Sequence, residues 1–274
     1  MTFLQLGVIS FSIEESFVIS KLGRVSVLKS ECKNVLIAGD IHGDFNAFKR
    51  ALEIFEETPD SILIFLGDYA DRGDMGLEVI ETLTEMIGPR VVALKGNHED
   101  YVNGSPTFHP WDFGWEVEMK RKVKWKDFFP IFEKNFLNKL SIAFVIPGLA
   151  LCVHGGICGR IKSLNDLKAP NRKIEECILW SDPTDLPGEF PNPRGAGILF
   201  GPDITDCVLK SLDVKFLVRS HEPMKASEGP FLEQGGRVIT LSTTSVYGGK
   251  PFLLRINPYE KFDLTKINEK IIFL

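Results

Sequence analysis

The 274-residue sequence contains no uninterrupted apolar run of the roughly 18–20 residues needed to cross a bilayer. Its first twenty residues have no basic start and carry Glu14 and Glu15, so they do not read as a secretory signal. The five cysteines, Cys32, Cys152, Cys158, Cys177 and Cys207, form no CxxC pair. That spacing argues against a thiolate zinc site or a disulfide scaffold and suits scattered reduced thiols. A soluble protein of the reducing cytoplasm is expected, without a membrane partner. Positive charge is not in excess either: 32 basic residues face 37 acidic ones, for a net charge of -5. A general affinity for nucleic acid is therefore not expected. The one basic cluster, Lys120 to Lys126, reads as a solvated helix face. Repeats, low-complexity tracts and linkers are also missing, so residues 1–274 read as one domain. Within it, 1–33 form a helical or strand lead-in, and 111–140 a helical segment over one end.

What is present is 44% hydrophobic residues, enough for a sizeable core. Short apolar runs stop abruptly at polar residues: Val35 to Ala38 before Gly39-Asp40, Ile62 to Leu66 before Gly67-Asp68, Val91 to Leu94 before Gly96-Asn97. These read as buried strands. Phe45, Phe48, Leu52 and Phe55 lie between the first two at helical spacing, and Leu77, Ile80, Leu83 and Ile87 between the next two. The result is β-α-β-α-β, which predicts an α/β fold with parallel pairing. The strand-then-polar pattern returns at Leu149 to Val153, Phe216 to Val218 and Val238 to Leu241. Connections there are rich in Gly and Pro, notably Pro183 to Gly201, which predicts hairpins and loops rather than helices. Near the start, Ser12 and Glu15 fit a capping box, with Gly23 ending that helix.

Side chains at the carboxyl ends of strands in an α/β sheet converge on one crevice. Here those residues are Asp40 with His42, Asp68, Asn97 with His98, His154 and His221, which include four of the five histidines. The fifth, His109, lies between proline-containing turns and reads as incidental. Carboxylate, imidazole and amide ligands without cysteine suit manganese, iron or zinc. Two aspartates against two divalent ions leave a positive surplus, which suits a phosphate dianion. Such a pair also activates its own water nucleophile, so no serine or cysteine is required. Arg72 could clamp phosphate oxygens. Asp71 could orient and charge His98, the natural proton donor to a leaving alkoxide.

Gly39-Asp40-Ile41-His42-Gly43, Gly67 to Gly73 and Gly96 to Glu99 reproduce in order the GDxHG, GDxxDRG and GNHE signatures, with the two aspartates 28 residues apart. On these motifs the sequence resembles the phosphoprotein phosphatase family of metallophosphoesterases. The resemblance extends to His154-Gly155-Gly156, Trp180-Ser181-Asp182-Pro183, Arg194-Gly195 and Arg219-Ser220-His221-Glu222, and covers about residues 34 to 250. It implies a four-layer α/β/β/α sandwich of two mixed sheets, with the site at the edge between them. It implies further that Asp40 and His42 bind one metal, that Asp68 bridges, and that Asn97, His154 and His221 bind the other. Arg72 and Arg194 would hold the phosphate, with Asn97 and Tyr247 beside it and Asp182 behind the ligands.

The segment after the last strand departs from the family's SAPNYCG: here it reads Thr243-Thr244-Ser245-Val246-Tyr247-Gly248-Gly249. Tyr247 is kept, but Gly248 stands in the cysteine position, which puts inhibitor sensitivity and loop shape in question. An autoinhibitory or calmodulin-binding segment is not expected, and the sequence reads as a bare catalytic core. Three functions compete. The first is a serine/threonine protein phosphatase that uses a metal-activated hydroxide on phosphorylated proteins or peptides, with two divalent ions, manganese foremost. The second is a symmetrical dinucleoside tetraphosphatase, whose members usually carry alanine before the arginine and GNHD in the third motif. The third is a silent scaffold. Asp71 and Glu99 favour the first, and the complete set of ligands and arginines speaks against the third.

Overall fold

The computed structural model describes residues 18–29 and 32–274. One sheet is built on the β-α-β-α-β run: β3 (Asn34–Ala38), α1 (Phe45–Glu57), β4 (Ser61–Phe65), α2 (Gly76–Met86) and β5 (Val91–Ala93). Its three strands are parallel. The other sheet begins with the antiparallel hairpin of β1 (Ile19–Leu22) and β2 (Val25–Leu28), and continues with β6 (Ala143–Ile146), β7 (Ala150–Val153), β8 (Phe216–Arg219), β9 (Phe231–Glu233) and β10 (Val238–Thr240). In space it runs β1-β2-β6-β7-β8-β10-β9. The chain then returns to the first sheet through β11 (Phe252–Ile256) and β12 (Ile271–Phe273), giving the order β12-β11-β3-β4-β5. β11 is antiparallel to β3, and β6 to β7, while β7 and β8 are parallel, so both sheets are mixed.

Alternation along each strand explains the layering, because successive side chains of a strand point to opposite faces. Val35, Ile37, Ile62 and Ile64 of one sheet share a buried core with Phe144, Cys152, Val218 and Ile239 of the other. The intervening residues Leu36, Leu63 and Phe65 pack instead with α1, α2, α3 (Phe113–Arg121) and α4 (Trp125–Asn135). On the far side, Leu151, Val153 and Leu217 pack with α6 (Arg172–Trp180) and α7 (Pro202–Ser211). Three cores separate four layers, α/β/β/α.

Two expectations are corrected. Ser12 and Glu15 lie outside the described residues, but no helix runs up to Gly23: it turns the β1–β2 hairpin at φ +62°, where the lack of a Cβ costs nothing. The stretch between β7 and β8 is also more helical than its prolines suggested, holding α5 (Leu164–Lys168), α6 and α7. Pro202 occupies the start of α7, where the missing N–H is no loss. Asn171 caps α6, accepting from the Ile174 N–H at 3.0 Å, and Ile174, Cys177 and Ile178 give it a buried face. Pro183 to Gly201 itself holds no helix: Glu189–Pro191 pairs antiparallel with Ile198–Phe200 as a hairpin, as expected, and the helices lie on either side of it.

Candidate metal centre and catalytic cavity

The candidate ligands stand in the loops that follow strands of the two sheets, and the backbone of several of these loop residues is held in unusual conformations. His42, Asp68, Asp71, Arg72 and His221 all have positive φ, between 47° and 73°. Non-glycine residues seldom adopt that region, and surrounding structure must hold them in it. Glu99 supplies part of that hold. Its carboxylate accepts from the N–H groups of Asp68, Tyr69 and Gly96 at 2.9, 3.0 and 2.9 Å, tying the loop after β4 to the loop after β5. The loops approach so closely that a Cβ on Gly96 would stand 2.1 Å from Asp68 Oδ1.

Hydrogen-bond partners fix which histidine nitrogens face the site. His42 Nδ1 lies 3.1 Å from the Ala70 carbonyl and His154 Nδ1 3.1 Å from the Leu66 carbonyl. A carbonyl only accepts, so each Nδ1 carries the proton and each Nε2 offers a lone pair. Burial lowers the pKa of His42, lowers that of His154 to about 4, and with the neighbouring His154 lowers that of His221 well below its usual range. These are neutral imidazoles, the form that ligates.

Acceptors then face acceptors. His154 Nε2 is 2.8 Å from Asn97 Oδ1 and 3.4 Å from Asp68 Oδ1. His42 Nε2 is 3.5 Å from Asp68 Oδ2 and 4.0 Å from Asp40 Oδ2. Among the described residues, Asp40 Oδ2 and His221 Nε2 are buried without a hydrogen-bond partner. Lone pairs converging in a buried space cost free energy unless something positive sits among them. Burial, followed by the charges of Asp40 and Glu99, raises the Asp68 pKa well above the carboxylate range, the same electrostatic deficit seen from a single residue. The arrangement fits divalent cations. Two groups of potential ligands, His42-Asp68-His98 and Asp68-His154-His221, share Asp68.

Beside this cluster opens a cavity of about 270 Å³ whose walls include Arg72, Asn97, His98, Arg194, His221 and Tyr247. Arg72 donates to the Pro110 carbonyl at 2.7 Å and to the His109 carbonyl at 3.5 Å. His109 lines the cavity, and its contact with Arg72 is through the backbone carbonyl, which any residue would offer. Arg194 donates through Nε to Asp182 Oδ2 at 2.8 Å, and Asp182 Oδ1 takes the buried Arg219 at 2.8 Å. Asp182 therefore serves an arginine of the cavity rather than a ligand. His98 Nδ1 meets Asp71 Oδ2 at 2.8 Å. The tyrosine ring of Tyr247 lies 5.5 Å from that of His42.

Sequence reasoning passed over two supporting residues. Ser220 donates through Oγ to Asp40 Oδ1 and accepts from the Asp40 N–H at 2.7 Å. Asp44 accepts from the Ala47 N–H at 3.0 Å, capping α1, and its other oxygen accepts from Ser245 at 2.6 and 2.8 Å, which anchors the loop carrying Tyr247. Ser220 was visible only as the unassigned middle position of Arg219-Ser220-His221. Asp44 gave the cue of an N-cap residue before an amphipathic helix.

Residues 33–225 match the family described as calcineurin-like phosphoesterase. The chain belongs to that family. Serine/threonine-protein phosphatase 5 of Arabidopsis thaliana is 34% identical over 231 residues, 78% of this chain and 40% of its own length. Serine/threonine-protein phosphatase T of Trypanosoma brucei brucei is 35% identical over 231 residues, 78% of this chain and 46% of its own. The chain thus spans less than half the length of these two curated relatives. A solved serine/threonine phosphatase from Saccharomyces cerevisiae, described as similar to human phosphatase PP5, superposes with a TM-score of 0.72 at 25% identity, covering 89% of this chain and 80% of its own. As a calcineurin-like phosphoesterase with these His/Asp ligand groups, the chain binds divalent metal ions. Among the described residues no helix is long and apolar enough to cross a membrane.

Proposed function

We propose that this chain is the catalytic part of a serine/threonine protein phosphatase that hydrolyses phosphate monoesters on proteins or peptides, with manganese as the foremost metal and iron or zinc as alternatives. The observation that carries the reading is the placement of Arg72 and Arg194 on the walls of one cavity beside the converging ligands. A monoester dianion offers terminal oxygens to two such guanidinium groups, whereas an interior phosphodiester lacks them in that charge state. The relatives from Arabidopsis thaliana and Trypanosoma brucei brucei, both serine/threonine-protein phosphatases, point the same way.

Asp40 and His42 would hold one ion, Asn97, His154 and His221 the other, and Asp68 both. Two divalent ions held there would supply Lewis acidity to a phosphoryl oxygen and make a water more acidic and so a better nucleophile. Arg72 and Arg194 orient the phosphate so that water attacks in line and the configuration at phosphorus inverts. The bond from phosphorus to the serine or threonine oxygen breaks, and His98 Nε2 delivers a proton to that oxygen. Asp71 holds the other nitrogen, and Tyr247 closes one wall of the cavity beside His42. Buried free cysteines suit a reducing compartment such as the cytoplasm.

Metal analysis of the purified protein, with turnover of phosphoserine peptides and diadenosine tetraphosphate in parallel, tests the proposal. Bound divalent metal with peptide turnover well above nucleotide turnover is expected. A strong preference for the nucleotide would make the chain a dinucleoside tetraphosphatase instead.

A further inference from the structure

A second concavity of about 560 Å³ lies against the catalytic cavity, and Arg72 belongs to the walls of both. Its floor is apolar. Trp115 is 69% exposed and Met119 48% exposed. Being four residues apart on α3, their side chains are neighbours on one helix face, while Phe113 and Val117 of the same helix are buried in the core. Met75, just before α2, joins them from the other side. A tryptophan held in water is costly for a site with no occupant. Trp111 and Trp125 nearby are packed against one another, with indole N–H groups donating to Tyr101 and to the Gly104 carbonyl.

The cations around the floor, Arg72 and Lys120, both have carboxylate partners, which leaves Asp74 as the exposed carboxylate without one among the described residues. Lys120 spends its ammonium on Glu78, on Glu116 and on the Asp74 carbonyl. Asp74 and Asp112 both stand exposed on the rim, with Asp112 3.7 Å from Arg72. A ligand that fits pairs a large apolar group with a positive charge. The shared Arg72 also decides where that ligand comes from. A chain whose phosphate is held by Arg72 must cross the Arg72 wall to leave the cavity on this side, and an extended chain advances about 3.3 Å per residue. Two exposed side chains are also too small a surface for a stable contact with a second copy, which needs about 800 Å² per partner.

We propose that this groove binds a large apolar side chain of the substrate, within about three residues of the phosphorylated one, and that Asp74 attracts a lysine or arginine beside it. The proposal rests on the protein-phosphatase reading and specifies the sequence around the phosphosite.

The test uses the full chain with manganese and phosphoserine peptides carrying phenylalanine at each of three positions on either side, with and without an adjacent arginine. p-Nitrophenyl phosphate, too small to reach the groove, reports on the catalytic cavity alone. One set of positions should raise kcat/KM about tenfold over an alanine peptide. Trp115→Ala and Met119→Ala should abolish that gain, lowering the ratio of peptide to p-nitrophenyl phosphate kcat/KM by about tenfold, mainly through KM. Asp74→Lys should reverse the preference for arginine. Phosphopeptides turned over equally well whatever their sequence, or a ratio unmoved by Trp115→Ala, overturns the groove while leaving the phosphatase reading intact. Turnover of p-nitrophenyl phosphate with no phosphopeptide hydrolysed overturns both.

Discussion

His98 donates from Nδ1 to a carboxylate whose other oxygen is itself held by the N–H groups of Asp112 and Phe113, at 2.6 and 2.7 Å. The imidazole is therefore fixed in direction, with Nε2 turned toward Arg72 at 3.5 Å and Asp68 at 4.0 Å. Burial, then the neighbouring His42, Arg72 and His154, lowers its pKa well below the usual range. The ring is neutral in the free site, so a role as proton donor requires Nε2 to take up a proton with substrate in place. That position leaves two roles open, proton donor or ligand beside His42 and Asp68, and they differ in what they lose on substitution. General-acid catalysis matters for a serine alkoxide and little for p-nitrophenolate, and is worth roughly 10²- to 10⁴-fold where it is needed. His98→Asn should therefore depress alkyl phosphate turnover far more than p-nitrophenyl phosphate turnover, with metal content unchanged. Equal losses, or lost metal, would assign the ring to coordination or positioning. Asp68 makes the opposite prediction, since it stands in both ligand groups. Asp68→Asn should lower metal content and turnover of every substrate together, and a variant retaining two ions at wild-type rates would remove it from the bridge.

The strand-to-loop junctions were legible because a buried strand that ends at a glycine followed by Asp or Asn leaves a local mark: Ile62 to Leu66, then Gly67-Asp68; Val91 to Leu94, then Gly96-Asn97. The parallel β3-α1-β4-α2-β5 run was readable for the same reason. The second sheet was not derivable from local pattern, because β7 finds its parallel partner β8 only after more than sixty residues and three helices. Its layering came from the family resemblance. Glu99 shows a further limit. The motif marks it as a glutamate, but its three backbone hydrogen bonds depend on how near two loops from different strands come. Gly96 records the same closeness, and its φ of -92° is open to any residue, so the requirement for glycine is purely steric. A Cβ there would also meet the Asp68 N at 2.4 Å. Gly96→Ala should push the two loops apart, with metal content and activity falling together. Gly248 has φ +83° with nothing within 4 Å of its missing Cβ. Gly248→Ala should cost only the backbone strain of about 1 kcal/mol, read as a small drop in unfolding free energy.

At the scale of the whole molecule, an ion network ties the loops of the first sheet to the helices outside the second. Asp100, 1% exposed, follows the Asn97-His98-Glu99 turn and takes Lys95 at 2.8 Å and Arg172 of α6 at 2.9 Å. Lys95 continues to Glu175 of α6 at 2.9 Å, and Glu175 to Arg24 of the β1–β2 turn at 3.3 Å. The network thus spans the layers and anchors the loop that carries two residues of the site. Burial alone would raise the Asp100 pKa, but the bonds from Arg172, Lys95 and Thr107 outweigh it and hold the carboxyl well below its usual range. A depressed folded pKa means that the folded state keeps the carboxylate charged where the unfolded chain would already take a proton. The stabilisation is therefore complete above the unfolded value of about 3.9 and is lost as the pH falls toward the folded one. Breaking a buried pair costs about 3–5 kcal/mol, and the half-exposed Arg172 places Asp100→Asn at the lower end or beneath it, about 2–3 kcal/mol at pH 7. Other carboxylates, including the metal-site pair, are common to both proteins and cancel in the difference. Urea unfolding of wild type and Asp100→Asn should show a constant gap from about pH 7 to pH 5 that narrows below about pH 4. A gap that stays constant down to pH 3 would mean that the loss comes from packing, and that the charge of Asp100 contributes nothing to joining the layers.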